Sequence, residues 1–457
     1  MATDARQPPR AFDPTAFRSF RFIARELDAQ GRVSLRYALD DEIDFVEEFD
    51  LPIEGALDDA ERERVEGLLS LLHWVAGVSY YKTAVPPAVA CETGAPPPAA
   101  AELLEALYSD GLGELAYTNE LAGLPRPRFP RGGSSAAPAV AELRPPRRVL
   151  VPVGGGKDSV VALEIVRRSG CELALFSVGD ATPIARTAAV AGLPRLIAHR
   201  RLDPALPALN RAGALNGHVP ITAIVSCVAL LTAALRGFDA VAMANERSAS
   251  SGNIDWQGVE VNHQFSKGLW AERLLQAALA EIGAGVQIFS VLRPASELAI
   301  ARAFARMAPY HRAFTSCNAI FRTDPALRAS SWCCDCPKCR FVFLALAPFT
   351  SPEHLREVFG HDLLADERQF AGFALLTATG GHKPFECVGE EQESLAAIRM
   401  LAADRRWREH AVVQRLAAEV LPAFGAKAGD PAEALALGGE HAMPESLLAD
   451  VRALLGA

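Results

Sequence analysis

Two stretches of this chain carry residue types at spacings that suit chemistry. The first is Gly154-Gly-Gly-Lys-Asp-Ser159. It follows Val149, Leu150 and Val151, which read as a short buried strand, and opens a helical run ending near Gly170. Glycine lets a backbone approach an anion closely. A helix N-terminus adds unpaired N–H groups and the positive end of a dipole. A strand that turns through glycines into a helix is therefore a phosphate cradle. The second stretch is Trp332-Cys-Cys-Asp-Cys-Pro-Lys-Cys339, with Cys317 upstream in Thr315-Ser-Cys-Asn318. Cys317, Cys333, Cys336 and Cys339 converging on one ion would make a tetrahedral structural zinc site, with Cys334 able to replace Cys333. The alternatives are free buried cysteines or an iron–sulfur cluster.

The cradle is neither of the commonest two. A Walker A loop would need glycine at Val151 and Ser or Thr at Asp158, and the dinucleotide fingerprint would need glycine at Ser159. The run resembles the PP-loop of the ATP pyrophosphatases. That resemblance implies a loop holding the β- and γ-phosphates while the substrate attacks the α-phosphorus, so that AMP is transferred and pyrophosphate leaves. Gly154 stands where most members have Ser, so one hydroxyl contact is missing. On this reading Gly154, Gly155, Gly156 and Ser159 contact phosphate, Lys157 adds charge, and Asp158 holds Mg²⁺ directly or through water. Phe176, Ser177 and Val178, closing the second strand, would meet adenine and ribose through backbone groups. The competing reading is a glycine-rich turn with no ligand. The cysteine spacing likewise resembles the zinc knot of the PP-loop enzyme that makes 7-cyano-7-deazaguanine.

The elements that must position these groups are α/β. Strands are expected at 149–153, 173–178, 195–199, 240–244 and 286–291, with helices between, notably 219–235 and 269–282. That alternation predicts a doubly wound parallel sheet with its ligand at the carboxyl ends of the strands. Just past the fourth strand come Asn245, Glu246 and Arg247, then Asn253, Asp255, Asn262, His263, Gln264, Ser266 and Lys267. So many polar groups there suit a site, or else a long solvated loop. His218, in Asn216-Gly-His-Val-Pro220, is a weak signal by itself.

Upstream, Phe20 and Phe22, then Val33, Leu35, Tyr37 and Leu39, alternate with polar positions on either side of Asp28-Ala-Gln-Gly31. This is a hairpin with one buried face; Ile43, Phe45 and Phe49 suggest a third strand. Asp58 with Glu61 begins a helix that runs into Trp74-Val-Ala-Gly-Val-Ser-Tyr-Tyr-Lys82. There Tyr80, Tyr81 and Lys82 either pack a helix terminus or line a pocket for an anionic substrate. Two short helices are expected over 96–121, and 125–147 reads as a linker. The expected organisation is an α+β domain over 1–124, that linker, a nucleotide-binding domain with the cysteines over 148–348, and a mostly helical region over 349–457. Between its helices that last region holds His382, Lys383, Glu386 and Cys387 in a glycine-bounded loop, either functional or a charged loop with a buried Phe and Cys.

Composition narrows the class. The 457 residues carry a net charge of −9, which argues against broad nucleic-acid binding, and no apolar run spans a membrane. The N-terminus shows no secretory signal, and nine cysteines, four of them within seven residues, suit a reducing cytoplasm and a metal site better than disulfides. Oligomeric state is not legible.

The Phe-rich hairpin, Ala76-Gly-Val-Ser-Tyr-Tyr-Lys82, the glycine loop, the cysteine cluster and His382-Lys-Pro-Phe-Glu-Cys-Val-Gly389 follow one another as in the MurL type of UDP-N-acetyl-α-D-muramoyl-L-alanyl-L-glutamate epimerase, which the chain resembles along essentially its whole length. The resemblance implies a cytoplasmic isomerase of peptidoglycan synthesis. It would invert the terminal L-glutamate of UDP-MurNAc-L-Ala-L-Glu at the expense of ATP, with Mg²⁺ required and AMP and pyrophosphate released. Inversion needs a proton removed on one face and delivered on the other. Glu246, His382, Glu386 and Cys387 are the candidate acids and bases, with Asp158 in the reaction machinery. Tyr80, Tyr81, Lys82, Asn245, Arg247, Lys267 and Lys383 are the candidate substrate contacts. The rivals are a PP-loop enzyme that adenylates a nucleobase or tRNA, and a nucleotide-binding sensor without catalysis.

Overall fold

A computed structural model describes residues 12–133, 143–321, 328–379, 381–425 and 427–456. The first eleven residues, the middle of the expected linker (134–142) and Gly380 of the glycine-bounded loop lie outside them. The chain is α/β, with a nine-stranded sheet carrying both parallel and antiparallel pairs and helices throughout. Its strands are β1 (Ser19–Leu27), β2 (Arg32–Leu39), β3 (Ile43–Asp50), β4 (Ala88–Cys91), β5 (Arg148–Pro152), β6 (Glu172–Val178), β7 (Arg195–Arg201), β8 (Ala240–Met243) and β11 (Gln287–Ser290); β9 (Ile254–Trp256) and β10 (Val259–Val261) form a separate ribbon. The five strands expected after residue 148 all form, within two residues of their expected ends. Among the described residues no helix is long and apolar enough to cross a membrane. Two compact units are present, each built from separated stretches of sequence.

The first unit comprises Met1–Leu143, Leu196–Val241 and Asp255–Ile288. The expected hairpin is there. β1 and β2 pair antiparallel from Phe20↔Leu39 to Leu27↔Val33 with a bulge between Phe22 and Ala24, and β3 continues the meander. Two pairings were not legible. β4 lies parallel to β1, and β7 pairs antiparallel with β3, so the parallel arrangement expected of β7 does not hold on that side. The alternation puts Phe20, Phe22, Val33, Leu35, Tyr37, Phe45 and Phe49 in the core. Helix Glu66–Ala76 does not run through to Lys82. It breaks at Gly77, where a Cβ would strike the rings of Phe22 and Tyr37 and the Tyr108 hydroxyl, and resumes as Val78–Tyr81. Two buried tyrosines donate to carbonyls beside the break: Tyr37 to His73 O at 3.0 Å, which also accepts from Gly77 N at 3.3 Å, and Tyr108 to Trp74 O at 2.6 Å.

The second unit comprises Arg144–Arg195, Ala242–Ile254 and Phe289–Ala457. β5 and β6 pair parallel from Arg148↔Glu172 to Pro152↔Phe176, and helix Lys157–Arg168 follows β5 through the glycine turn. The remainder is helical as expected, including Glu297–Phe304, Pro337–Leu346, Pro352–Phe359 and Glu391–Ala403. The sequence of this region reads as single helices over 365–377 and 407–420; the first is instead a five-residue helix, Phe370–Ala374, between 3₁₀ turns, and the second is Ala411–Arg415 running into a π turn.

Candidate active site

The glycine turn is shaped by what surrounds it. Gly155 has φ +82°, and a Cβ there would lie 2.8 Å from Pro183; its carbonyl accepts from Thr315 N at 2.9 Å. Gly156 is the N-cap of Lys157–Arg168 and has no side chain to cap the first-turn N–H groups. A Cβ on Gly154 would meet nothing within 4 Å. Open at Gly154 and uncapped at the helix start, the turn fits an anion. Ser159 turns its hydroxyl back onto Gly156 O at 2.9 Å, and Ser177, near the end of β6, donates to Gly179 O at 2.9 Å, between Phe176 and Val178. Gly155→Ala should cost about 1–3 kcal/mol, whereas Gly154→Ala should stay within about 0.5 kcal/mol, read as denaturant midpoints. Equal midpoints for the two variants would contradict this account of the turn.

Lys157 is fully buried. Its ammonium donates to Asp158 and to Glu297, the first residue of helix Glu297–Phe304. Burial works against that charge, but the two carboxylates outweigh it and hold the lysine above its ordinary pKa. Glu297 is fully buried too, and Lys338 Nζ lies 3.6 Å from its other oxygen. Its backbone N–H donates to Glu393 Oε1 at 2.9 Å, while Glu390 N donates to Glu393 Oε2 at 2.8 Å. Lys338 ties this group to the glycine-bounded loop: its N–H donates to Glu386 at 3.1 Å and its ammonium to the Cys387 carbonyl. In the same loop His382 Nδ1 sits 2.8 Å from Lys383 O, and Lys383 Nζ is 3.4 Å from Gly389 O. Asn253 Nδ2 donates to Pro384 O at 3.0 Å, and Ser251 to Glu390 Oε1 at 2.5 Å.

The segment after β8 belongs to this neighbourhood. Asn245 and Glu246 are buried. Ser290 Oγ accepts from Asn245 N at 2.8 Å, and Arg293 donates to Glu246 O at 2.8 Å. Arg247 lies further along, donating to Ala436 O at 3.2 Å. The second unit thus brings Lys157, Asp158, Glu386 and Cys387 to one buried charged cluster. Its further members, Glu297, Lys338 and Glu393, carry no recognisable spacing. Glu390 and Glu393 form a capping box, which in the sequence reads only as a helix start.

Tyr80, Tyr81, Lys82 and Lys267 belong to the first unit. Tyr80 stacks on Tyr37 at 5.2 Å, and Tyr81 meets Phe20 and Tyr108 at 5.8 and 5.0 Å, so both rings are core side chains. Lys82 donates to Asn216 Oδ1 at 2.9 Å, and burial pushes its pKa down to about 8. Lys267 donates to Gln264 at 3.2 Å.

Burial, reinforced by Glu297 and Glu390, pushes Glu393 up to about 8. An acid whose folded pKa exceeds its unfolded value binds its proton more tightly when folded. Its contribution is therefore favourable below about pH 4.5 and is lost as pH rises to about 8. The loss is about 4–5 kcal/mol. Glu393→Gln should flatten that decline, with a constant offset because an amide oxygen cannot serve both backbone donors. Urea midpoints of parent and variant at pH 5 and pH 8.5 check it, and parallel pH curves would contradict it.

The cysteines also converge. The sulfurs of Cys317, Cys333, Cys336 and Cys339 all lie within 4.8 Å of one another, the donor set of a structural zinc site. Cys336 caps helix Pro337–Leu346, accepting from Cys339 N at 3.4 Å. Cys334 points elsewhere: it has φ +59° and its thiol faces Phe359 O at 3.3 Å. Cys333 is therefore the member of the group.

The profile of the MurL N-terminal domain matches residues 11–291, and that of the MurL C-terminal domain matches residues 313–430. Three relatives share the name UDP-N-acetyl-alpha-D-muramoyl-L-alanyl-L-glutamate epimerase. The protein from Salinispora tropica is 47% identical over 89% of this chain and 89% of its own. That from Micromonospora sp. is 45% identical over 93% and 96%, and that from Xanthomonas oryzae pv. oryzae 42% over 97% and 99%. The motifs that suggested the resemblance thus sit in a chain related along nearly all its length, and it belongs to the MurL family.

Proposed function

We propose that this chain is a cytoplasmic, ATP-dependent epimerase of peptidoglycan precursor synthesis, converting the terminal L-glutamate of UDP-MurNAc-L-Ala-L-Glu to D-glutamate with release of AMP and pyrophosphate. The observation that carries the reading is identity of 42–47% to epimerases of that name across 89–97% of the chain. The chemistry accounts for the nucleotide. An α-hydrogen beside an ionised carboxylate is hard to remove, because the carbanion would sit next to a negative charge. Adenylation removes that charge, brings the α-proton within reach of an ordinary base, and leaves an anhydride that water can cleave.

On this reading the glycine turn is the PP-loop of a doubly wound core. Gly154, Gly155, Gly156 and the first turn of Lys157–Arg168 would hold the phosphates, and Asp158 would hold Mg²⁺, which would supply neutralisation of phosphate charge. Lys157, turned onto Asp158 and Glu297, fixes the position of Asp158. Proton removal and return fall to groups around the cluster: Glu386, Cys387, His382 and Glu246, now with Glu393, whose raised pKa suits an acid at neutral pH. Lys383, whose ammonium lies 3.4 Å from Gly389 O, is the group we assign to a substrate carboxylate.

The test is incubation of the purified chain with ATP, Mg²⁺ and UDP-MurNAc-L-Ala-L-Glu in D₂O. AMP, pyrophosphate and D-glutamate carrying α-deuterium are expected. ADP with orthophosphate, or AMP without D-glutamate, would overturn the reading; the latter points to a nucleobase or tRNA substrate. No AMP with any substrate points to a sensor.

A further inference from the structure

The first unit contains a polar cluster that the proposed reaction does not use. Glu114 opens onto it from helix Gly113–Thr118, His218 from the segment before helix Ile221–Leu235, and His263 from the turn after β10. A carboxylate oxygen of Glu114 and one ring nitrogen from each histidine all lie within 4.8 Å of one another. The two imidazoles approach with centroids 4.1 Å apart at 38°, and Glu114 Oε2 is hydrogen-bonded to His263 Nδ1. Among the described residues His218 makes no hydrogen bond, although its ring is half-buried and lies against its neighbour. A hydrogen-bonded Glu–His staple accounts for two members and leaves the third unexplained.

The convergence is built by the backbone. Three stretches far apart in sequence meet here, and a glycine lies at each junction. A Cβ on Gly217 would lie 3.3 Å from Leu115, one on Gly113 3.2 Å from Val261, and one on Gly111 3.2 Å from Pro220. These spacings are tighter than side chains ordinarily allow, so the stretches carrying Glu114, His218 and His263 approach one another as closely as they do because glycine occupies those positions. With 11% and 16% of their side chains exposed, His263 and Glu114 remain within reach of solvent.

We propose that Glu114, His218 and His263 form a binding site for a divalent transition-metal ion of the zinc class. Two imidazole nitrogens and one carboxylate oxygen are a borderline donor set that such ions prefer to hard Mg²⁺ or Ca²⁺. Three protein ligands leave at least one coordination position to water or to an exogenous ligand, as in sites open to exchange. The ion replaces the proton shared between Glu114 and His263, and it gives His218 the partner it lacks. The proposal is independent of the epimerase reading and of the thiolate cluster.

Metal uptake by the whole chain tests it. The metal-free protein is titrated with Co²⁺ and, separately, with Cu²⁺. A thiolate site announces itself by sulfur-to-metal charge transfer, so an additional equivalent that adds only weak ligand-field absorption belongs to nitrogen and oxygen donors. The Cu²⁺ spectrum should carry nitrogen hyperfine structure from two imidazoles, reduced to one in His218→Gln. His218→Gln and Glu114→Gln should each weaken that equivalent at least about 100-fold while leaving the thiolate bands unchanged. Those unchanged bands and an unaltered circular dichroism spectrum show that the variants fold. The proposal is overturned if the parent takes up no equivalent beyond the thiolate one, or if folded His218→Gln/His263→Gln binds that equivalent as tightly as the parent.

Discussion

Lys157→Met should destabilise the second unit by about 3–5 kcal/mol and abolish turnover, the largest single-residue effect expected outside the cysteines. The ammonium is the common partner of two carboxylates, and one of them, Glu297, is fully buried. Removing it leaves Glu297, among the described residues, with Lys338 as its one remaining cationic partner, at 3.6 Å. A buried ion pair as a whole contributes little net stability, because desolvation offsets attraction, but an orphaned buried charge is costly. The double variant Lys157→Met/Glu297→Gln should therefore be more stable than the single one. Lys338→Met should cost less than Lys157→Met, since its ammonium lies further from Glu297 and also answers the Cys387 carbonyl. Urea unfolding of the four proteins settles the matter, and a single variant within about 1 kcal/mol of the parent would show that the pair is not what holds the loop. Turnover is lost because Asp158 and the first turn of the helix no longer have a fixed anchor.

Cys339→Ser should remove about one zinc per chain and lower the melting temperature by ~6–12 °C, corresponding to at least about 3 kcal/mol. Cys339 is fully buried within helix Pro337–Leu346, while Cys317 and Cys333 arrive from separate loops, so the ion would cross-link three segments. Nearby packing is aromatic: Trp332 lies between Phe314 at 5.2 Å and Phe359 at 4.3 Å. That stack positions the loop but offers nothing for the charge of four thiolates. Cys334→Ser is the matched control and should keep its metal, because that thiol faces a carbonyl outside the group. Metal analysis and melting curves of the two variants decide; iron with visible absorption in the parent would replace zinc by a cluster, and equal melting of both variants would remove the metal altogether.

The sequence by itself determined whatever is local. A strand, three glycines and a helix start follow from neighbours in the chain, and so do the alternating faces of β1, β2 and β3 and the two-residue gaps of the cysteines. A helix stop at Gly77 was one of the two readings open there, but not that the rings of Phe22 and Tyr37 leave no room for a side chain at that position. The tertiary structure alone decided which distant groups share a site. Glu297 reaches Lys157 across 140 positions, Glu393 joins them from a helix start, and Cys333 rather than Cys334 turns to the other sulfurs. His263 lies in the polar run that suits a site and His218 is a weak signal by itself, but three glycine junctions are what bring both to Glu114. The physical reason is range: propensity and periodicity act over a few residues, whereas a buried charge's partner is set by how whole elements pack.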